Sequence, residues 1–284
     1  MRTVSPLRYP GGKSCLFNTM VETIKSNFSS PPHYCEPFAG GGGLALSLLF
    51  EGIVQVICLN DLDPGIWSFW EALLNHTDEF IKLVEETPVN IEEWENQKRI
   101  MKQGDASNPL MLGFSTFFLN RTNRSGIIKN AGVIGGKSQS GAYKIDCRFN
   151  KVDLVHRIKR VASFKSQIIL SNLDASLFLK SGPFSESDKI LFFIDPPYFS
   201  KGSQLYTNSF AENDHQKFAE HVQRLEFPWM LTYDNEKKIQ SLYSAYRQFT
   251  FQLSYSAGTK RAGTELFVCS DDILISTKKF KPIV

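Results

Sequence analysis

Four consecutive residues, Asp195-Pro196-Pro197-Tyr198, have the types and spacing to do chemistry. They follow Lys189-Ile190-Leu191-Phe192-Phe193-Ile194, an apolar run of strand length and strand composition. The acid therefore falls where a buried strand runs out, and open α/β sheets bind ligands just beyond such strand ends. The chemistry these residues suit is the activation of an amine attached to an aromatic ring, such as that of adenine. The lone pair of such an amine is delocalised into the ring, so the amine is a poor nucleophile. The Asp195 carboxylate and the Pro196 backbone carbonyl, each accepting one amine hydrogen, would localise that pair as it attacks an electrophile. Proline has a fixed φ and no N–H, so the Pro196-Pro197 turn offers an acceptor at low entropic cost. Tyr198 offers a ring face on which an unstacked base can lie.

A second constellation lies early in the chain, at Tyr34-Cys35-Glu36-Pro37-Phe38-Ala39-Gly40-Gly41-Gly42-Gly43. The pattern predicts a short strand, a glycine loop, a helix over Leu44–Glu51 and a second strand over Val54–Leu59 ending in Asn60-Asp61. That is a βαβ unit. Gly40, Gly42 and Ala45 satisfy the dinucleotide fingerprint, and Asp61 has the spacing of a ribose-binding acid. Both nicotinamide cofactors and S-adenosylmethionine carry adenosine, so spacing does not separate them. Glu36 does favour one, because it complements a sulfonium and an ammonium and repels a pyrophosphate. Upstream, Arg8-Tyr9-Pro10-Gly11-Gly12-Lys13 is a turn that opens a helix over Ser14–Asn27; it lacks the spacing of a phosphate-binding P-loop. Asp174 follows a strand over Gln167–Ser171 and suits either the adenine amine of a cofactor or the N-cap of a helix over Ala175–Leu179.

Between these parts the pattern is helical from Leu62 to about Met111 and again from Leu110 to Leu119. Asn120-Arg121-Thr122-Asn123-Arg124-Ser125-Gly126 then opens a long polar stretch with Lys137 and several glycines, which reads as an exposed hairpin or loop. Arg, Asn and Gln are side chains that contact base edges and phosphates. From Arg121 to Lys165 there are eleven basic residues and two acidic ones, Asp146 and Asp153. The net charge of the whole chain is only +3, so the rest is net acidic. One basic stretch in an acidic protein points to a polyanion partner. Val152–Phe164 reads as an amphipathic basic helix. Later strands are expected over Trp229–Tyr233, Phe249–Ser254 and Glu265–Ser270, with a last edge strand at Ile273–Ser276. Five scattered cysteines without a CxxC pair suit a reducing cytoplasm, and five histidines without a ligand pattern predict no metal site. No apolar run is long enough to span a membrane, and the N-terminus lacks a signal core.

Taken together, Tyr9–Lys13, Glu36–Gly43, Asn60-Asp61, Asn120–Ser125 and Asp195–Tyr198 resemble the S-adenosylmethionine-dependent DNA adenine methyltransferases. In that family the cofactor motif, an inserted DNA-reading segment and the catalytic motif come in this order. The resemblance implies a doubly wound, Rossmann-like α/β sheet formed by residues 1–61 and 151–284, with a mostly helical DNA-binding insert at 62–150. It implies that Asp195, Pro196, Pro197 and Tyr198 are catalytic. Tyr9, Lys13, Glu36, Phe38, Gly40, Gly42, Asp61, Asp174 and Asp195 would line the S-adenosylmethionine site, with Asp61 on the ribose hydroxyls. Arg121, Asn123, Arg124 and Lys137 would meet duplex DNA. The activity implied is transfer of a methyl group to the N6 amine of an adenine flipped out of the duplex. A cognate restriction endonuclease is left open as a partner, and the oligomeric state is not legible. The Ile127-Ile128 pair after Gly126 departs from the loop of GATC-methylating members, so the target sequence stays open. Two other readings remain: methylation of RNA or of another amine, and a nucleic-acid-binding regulator on an inactive methyltransferase fold.

Overall fold

The computed structural model describes residues 4–8, 11–185, 189–200, 210–255 and 261–283. The chain divides into two compact units, one of residues 1–11 and 63–166, the other of residues 12–62 and 167–284.

The second unit is built on a sheet of eight strands in the order β3-β2-β1-β4-β5-β7-β6-β8. These are β1 (His33–Glu36), β2 (Val56–Asn60), β3 (Ile168–Ser171), β4 (Ile190–Ile194), β5 (Trp229–Asp234), β6 (Arg247–Tyr255), β7 (Arg261–Cys269) and β8 (Lys281–Pro282). The first five run parallel, and β7 joins β5 antiparallel. Every residue of β4 is buried, as a central parallel strand covered on both faces requires. One end of the core joins Phe178 and Leu179 of α8 (Ala175–Ser181) and Phe218 and Val222 of α9 (Glu212–Gln223) to Phe192, Trp229 and Tyr243. The helix α2 (Gly43–Phe50) is apolar almost throughout and buries six of its eight residues. Strand order reverses between β1 and β4, which is the switch point where such sheets bind ligands.

One expected strand is absent. Ile273–Ser276 is irregular, and the sheet edge is β8, paired to β6. The Asn27 side chain at the end of α1 (Phe17–Asn27) explains this. It donates to the Leu274 carbonyl at 2.6 Å and accepts from the Leu274 amide at 2.8 Å, so a side chain replaces the ladder.

The first unit is helical: α3 (Pro64–Asn75), α4 (Thr77–Glu86), α5 (Ile91–Gln103), α6 (Pro109–Thr122) and α7 (Lys151–Ala162). Phe69, Phe80, Phe114, Phe117, Phe118 and Phe149 form its aromatic centre. Gly113 lets α6 lie directly on α3, since a Cβ there would stand 2.3 Å from the Ser68 carbonyl oxygen. Asp63 caps α3 by accepting from the amides of Gly65 and Ile66, with Pro64 in the first turn. This unit extends to residue 166 rather than 150, because α7 packs on α4 and α3. It also takes in the chain's first eleven residues, expected with the sheet.

Candidate active site

Asp195 stands immediately beyond β4, and both of its oxygens are held. Oδ2 accepts from Lys13 Nζ at 2.7 Å, and Oδ1 accepts from Thr232 Oγ1 at 2.7 Å. The sheet register explains the second contact. Ile194 of β4 lies beside Leu231 of β5, so the next residue on each strand comes level. The Asp195 side chain is 22% exposed, whereas that of Lys13 is 2% exposed. The Lys13 ammonium also lies 3.3 Å from the Tyr198 hydroxyl and 3.5 Å from Glu265 Oε2. The Tyr198 hydroxyl in turn donates to Glu265 Oε1. Burial alone would pull the Lys13 pKa down; Asp195 and Glu265 outweigh it, so the net shift is upward and the ammonium stays charged. Removing one partner of such a buried pair typically costs about 3–5 kcal/mol, because a charge is left uncompensated.

Pro196 and Pro197 are buried, and Tyr198 is 3% exposed with the Lys13 ammonium 5.4 Å from its ring centroid. A base could stack on this ring only after something moves aside. The segment that follows is pinned by Asp234, whose two oxygens accept from the amides of Phe199 and Ser200, each at 2.8 Å. Thr232, Asp234 and Glu265 were not singled out from the sequence. The usable signal was polarity inside strands: Thr232 and Glu265 are fully buried in otherwise apolar runs.

The glycine loop lies between β1 and α2. Gly40 and Gly42 have φ of 47° and 55°, the left-handed region that favours glycine, and Gly42 is the N-cap of α2. The Gly40 amide donates to Asp61 Oδ2 at 2.9 Å, so the ribose-type acid and the loop are one assembly. Asn60 ties three strand ends together. Its amide donates to the carbonyls of Pro37 and Leu173, and its oxygen accepts from the Leu173 amide. Phe38 packs edge-on against Phe210 and Phe218. Asp174 caps α8, with Oδ1 accepting from the Ser176 amide at 2.9 Å. Tyr9 lies outside the described residues.

Glu36, at the end of β1, is pushed up to about 8. Burial is the largest cause and the Asp195 charge adds to it; the Tyr34 hydroxyl, the Ala45 amide and Lys13 act in the other direction. Two carboxyls around a glycine turn fit a ligand that carries positive charge and hydroxyls, as S-adenosylmethionine does. Among the described residues no cluster of ligands suits a metal ion.

In the helical unit, the polar motif divides by burial. Asn120 and Arg121, expected in a loop, lie in the last turn of α6. Asn120 accepts from the Arg8 amide and donates to the carbonyls of Arg8 and Gly126, at 2.7–2.8 Å. Arg121 is 6% exposed and donates to the Pro6 carbonyl through Nε at 2.7 Å. Its pKa is lowered to about 9 by burial, and by the neighbouring Arg157 and Arg8. Asn123 is 1% exposed; it accepts from the Trp94 indole and donates to the carbonyls of Ile127 and Ile128. These side chains fold the insert. Arg124 and Lys137 are exposed, with Lys137 paired to Glu95 at 2.7 Å.

A mixed sheet whose five parallel strands follow this order, with an acid-Pro-Pro-Tyr turn just past its central strand, has the fold of the Rossmann-like methyltransferases. The family is narrower. The profile described as D12 class N6 adenine-specific DNA methyltransferase matches residues 9–256, and the chain belongs to that family. No curated protein matches the sequence. Among solved structures, the chain is similar to a candidate RNA methyltransferase from Pyrococcus horikoshii, with TM-score 0.43 and 10% identity over 98% of this chain and 87% of that one. It is also similar to the rRNA methyltransferase AviRa from Streptomyces viridochromogenes, with TM-score 0.38 and 11% identity over 92% and 85% of the two chains.

Proposed function

We propose that this methyltransferase transfers a methyl group from S-adenosylmethionine to the N6 amine of an adenine flipped out of a specific duplex DNA site. The observation that carries the reading is the fixed Asp195 carboxylate, held by Lys13 and Thr232 at the switch point. The cofactor supplies a methyl group made electrophilic by its sulfonium. Asp195, held beside the Lys13 ammonium, accepts one amine hydrogen, and the Pro196 carbonyl accepts the other. The amine lone pair is then localised toward the electrophile, with the Asp195 carboxylate already oriented by Lys13 and Thr232. Asp61 and the Gly40–Gly42 turn hold the adenosine end, and Glu36 meets the positive end. Arg124 and Lys137, on the exposed part of the insert, contact the DNA.

The test is transfer of labelled methyl from S-adenosylmethionine to duplex DNA, single-stranded DNA and RNA, with the labelled base identified. Label in N6-methyladenine of duplex DNA at one sequence is expected. Label confined to RNA replaces the substrate in this reading, and tight DNA binding without any transfer replaces it by the regulator.

A further inference from the structure

Among the described residues, Glu265 is a fully buried carboxylate beside the motif to which the proposed reaction gives no role. It sits in β7, an antiparallel strand far from the motif in sequence, level with Asp234 of β5. Strand interiors exclude acids unless something compensates them, and here the compensation is specific. Oε1 accepts the Tyr198 hydroxyl, and Oε2 lies 3.5 Å from the Lys13 ammonium. Lys13 is thus shared by two carboxylates: a buried one that never meets solvent and a partly exposed one, Asp195, that faces the ligand side.

We infer that Glu265 is a positioning residue: it anchors the Lys13 ammonium and the Tyr198 hydroxyl so that Lys13 presents Asp195 as a fixed anion to the substrate amine. This rests on the role given to Asp195 above. The geometry requires an anchor of this kind. A lysine stem is flexible, and an ammonium held by Asp195 alone would follow that carboxylate wherever it turned. A second, immobile carboxylate fixes the ammonium, and the Tyr198 hydroxyl, which touches both Lys13 and Glu265, closes the arrangement. Among the described residues, the groups that interact with Lys13 or Glu265 include Asp195, Tyr198, Glu36 and the Cys15 thiol. Among the described residues Asp195 and Glu265 raise the Lys13 pKa, and they do so against its burial.

The test is Glu265→Gln, which keeps an oxygen for Tyr198 and removes the charge from Lys13. With the fold verified by circular dichroism, turnover is expected to fall about 10- to 100-fold, the usual consequence of a slightly misplaced group. KM for S-adenosylmethionine and duplex affinity should stay within about threefold, because an interaction made for the reacting state has been lost. A second readout needs no activity. In the ligand-free protein, the alkaline titration midpoint of the Lys13 ammonium, followed by 15N NMR, should drop by about one unit when one of two opposite charges is removed. Wild-type turnover with an unmoved Lys13 midpoint overturns the inference. Loss of thermal stability with both kinetics and midpoint unchanged makes Glu265 merely structural and also overturns it. If Glu265→Gln does not fold, Glu265→Asp keeps the charge but retracts it by one methylene; it should lose turnover while the Lys13 midpoint stays near wild type, and full turnover in it counts equally against the inference. A protein that methylates no DNA, yet shows the shifted Lys13 midpoint in Glu265→Gln, refutes the proposed reaction and leaves the anchor standing.

Discussion

At the scale of single residues, Asp195 and Glu36 make opposite demands on the site. In the proposed reaction Asp195 acts as a carboxylate that accepts an amine hydrogen, and its two held oxygens leave it oriented for that task. Asp195→Ala is therefore expected to lower methyl transfer by at least about 10²–10³-fold, the scale of losing a preorganised electrostatic group, with cofactor and DNA affinity largely kept. Near-normal turnover in that variant removes Asp195 from the mechanism. Glu36 is the reverse case, a carboxyl that burial holds protonated up to about pH 8. Its folded pKa lies above the ordinary 4.5, so its contribution to stability is complete below 4.5 and is lost as pH rises through about 8. Glu36→Gln should therefore abolish a fall in thermal stability that the ligand-free wild type shows across that window. A cation placed against Glu36 favours its ionised form, so S-adenosylmethionine binding at pH 7 should release up to about one proton. Calorimetry in two buffers of different ionisation enthalpy measures this, and equal apparent enthalpies in both would leave Glu36 without the cation. The sequence marks these candidate groups because Asp195, Lys13 and Glu36 each border a glycine or proline turn and Asp61 directly follows a strand. Thr232 is not marked in this way, because only the sheet register brings it level with Asp195; nor is Glu265, whose partners Lys13 and Tyr198 lie far from it along the chain.

At the scale of elements, the last turn of α6 shows where pattern reading stops. The apolar run ends at Leu119, and the polar residues after it look like the start of a loop. Asn120 and Arg121 are instead buried helix residues that bond the backbone of Pro6, Arg8 and Gly126, and Asn123, just past the helix end, is buried and bonds that of Ile127. Polar composition marks exposure only when no buried carbonyl needs a donor, and here several do. The same effect displaced the last edge strand, where Asn27 satisfies Leu274. Parallel strands were legible because burial on both faces leaves near-continuous apolar runs, as in β4. The insert boundary was less so, since α7 carries the same amphipathic signal whichever unit it packs against. Two arginines three residues apart should consequently behave differently. Arg121→Ala strips the Pro6 carbonyl of its buried donor and should cost about 1–3 kcal/mol of stability, read from urea unfolding. Arg124→Ala should leave unfolding unchanged and weaken DNA binding instead. If Arg124 meets phosphate, affinity falls evenly across sequences and the salt slope drops by about 1. If it reads a base, preference at one position relaxes by about 1–3 kcal/mol. A stable Arg121→Ala together with an unstable Arg124→Ala inverts the assignment.

At the scale of the whole molecule, the proposed reaction requires DNA binding to supply the energy that opens the target base pair. An adenine stacked in a duplex cannot present its amine to Asp195, and extruding it costs a few kcal/mol. The insert is the part of the chain with charge to spare for this, since its basic residues outnumber its acids from Arg121 onward. A mismatch opposite the target lowers the opening cost and leaves phosphate contacts intact, so mismatched duplexes should bind more tightly unless the lost partner base is itself read. A fluorescent adenine analogue at the target should brighten on binding, because extrusion ends its quenching by neighbouring bases. Tyr198 then separates two roles that the sequence merges. Its ring is 3% exposed and its hydroxyl bonds Glu265, so it is engaged before any base arrives. If the ring becomes a stacking face, Tyr198→Phe should keep the fluorescence gain and Tyr198→Ala should lose it, with binding weakened by about 1–3 kcal/mol for matched and mismatched DNA alike. If the hydroxyl matters most, Tyr198→Phe alone should cut turnover while leaving brightening and affinity as they are. An analogue that stays dark in a complex competent to methylate rules out extrusion, and Tyr198 then serves only the Lys13–Glu265 pair.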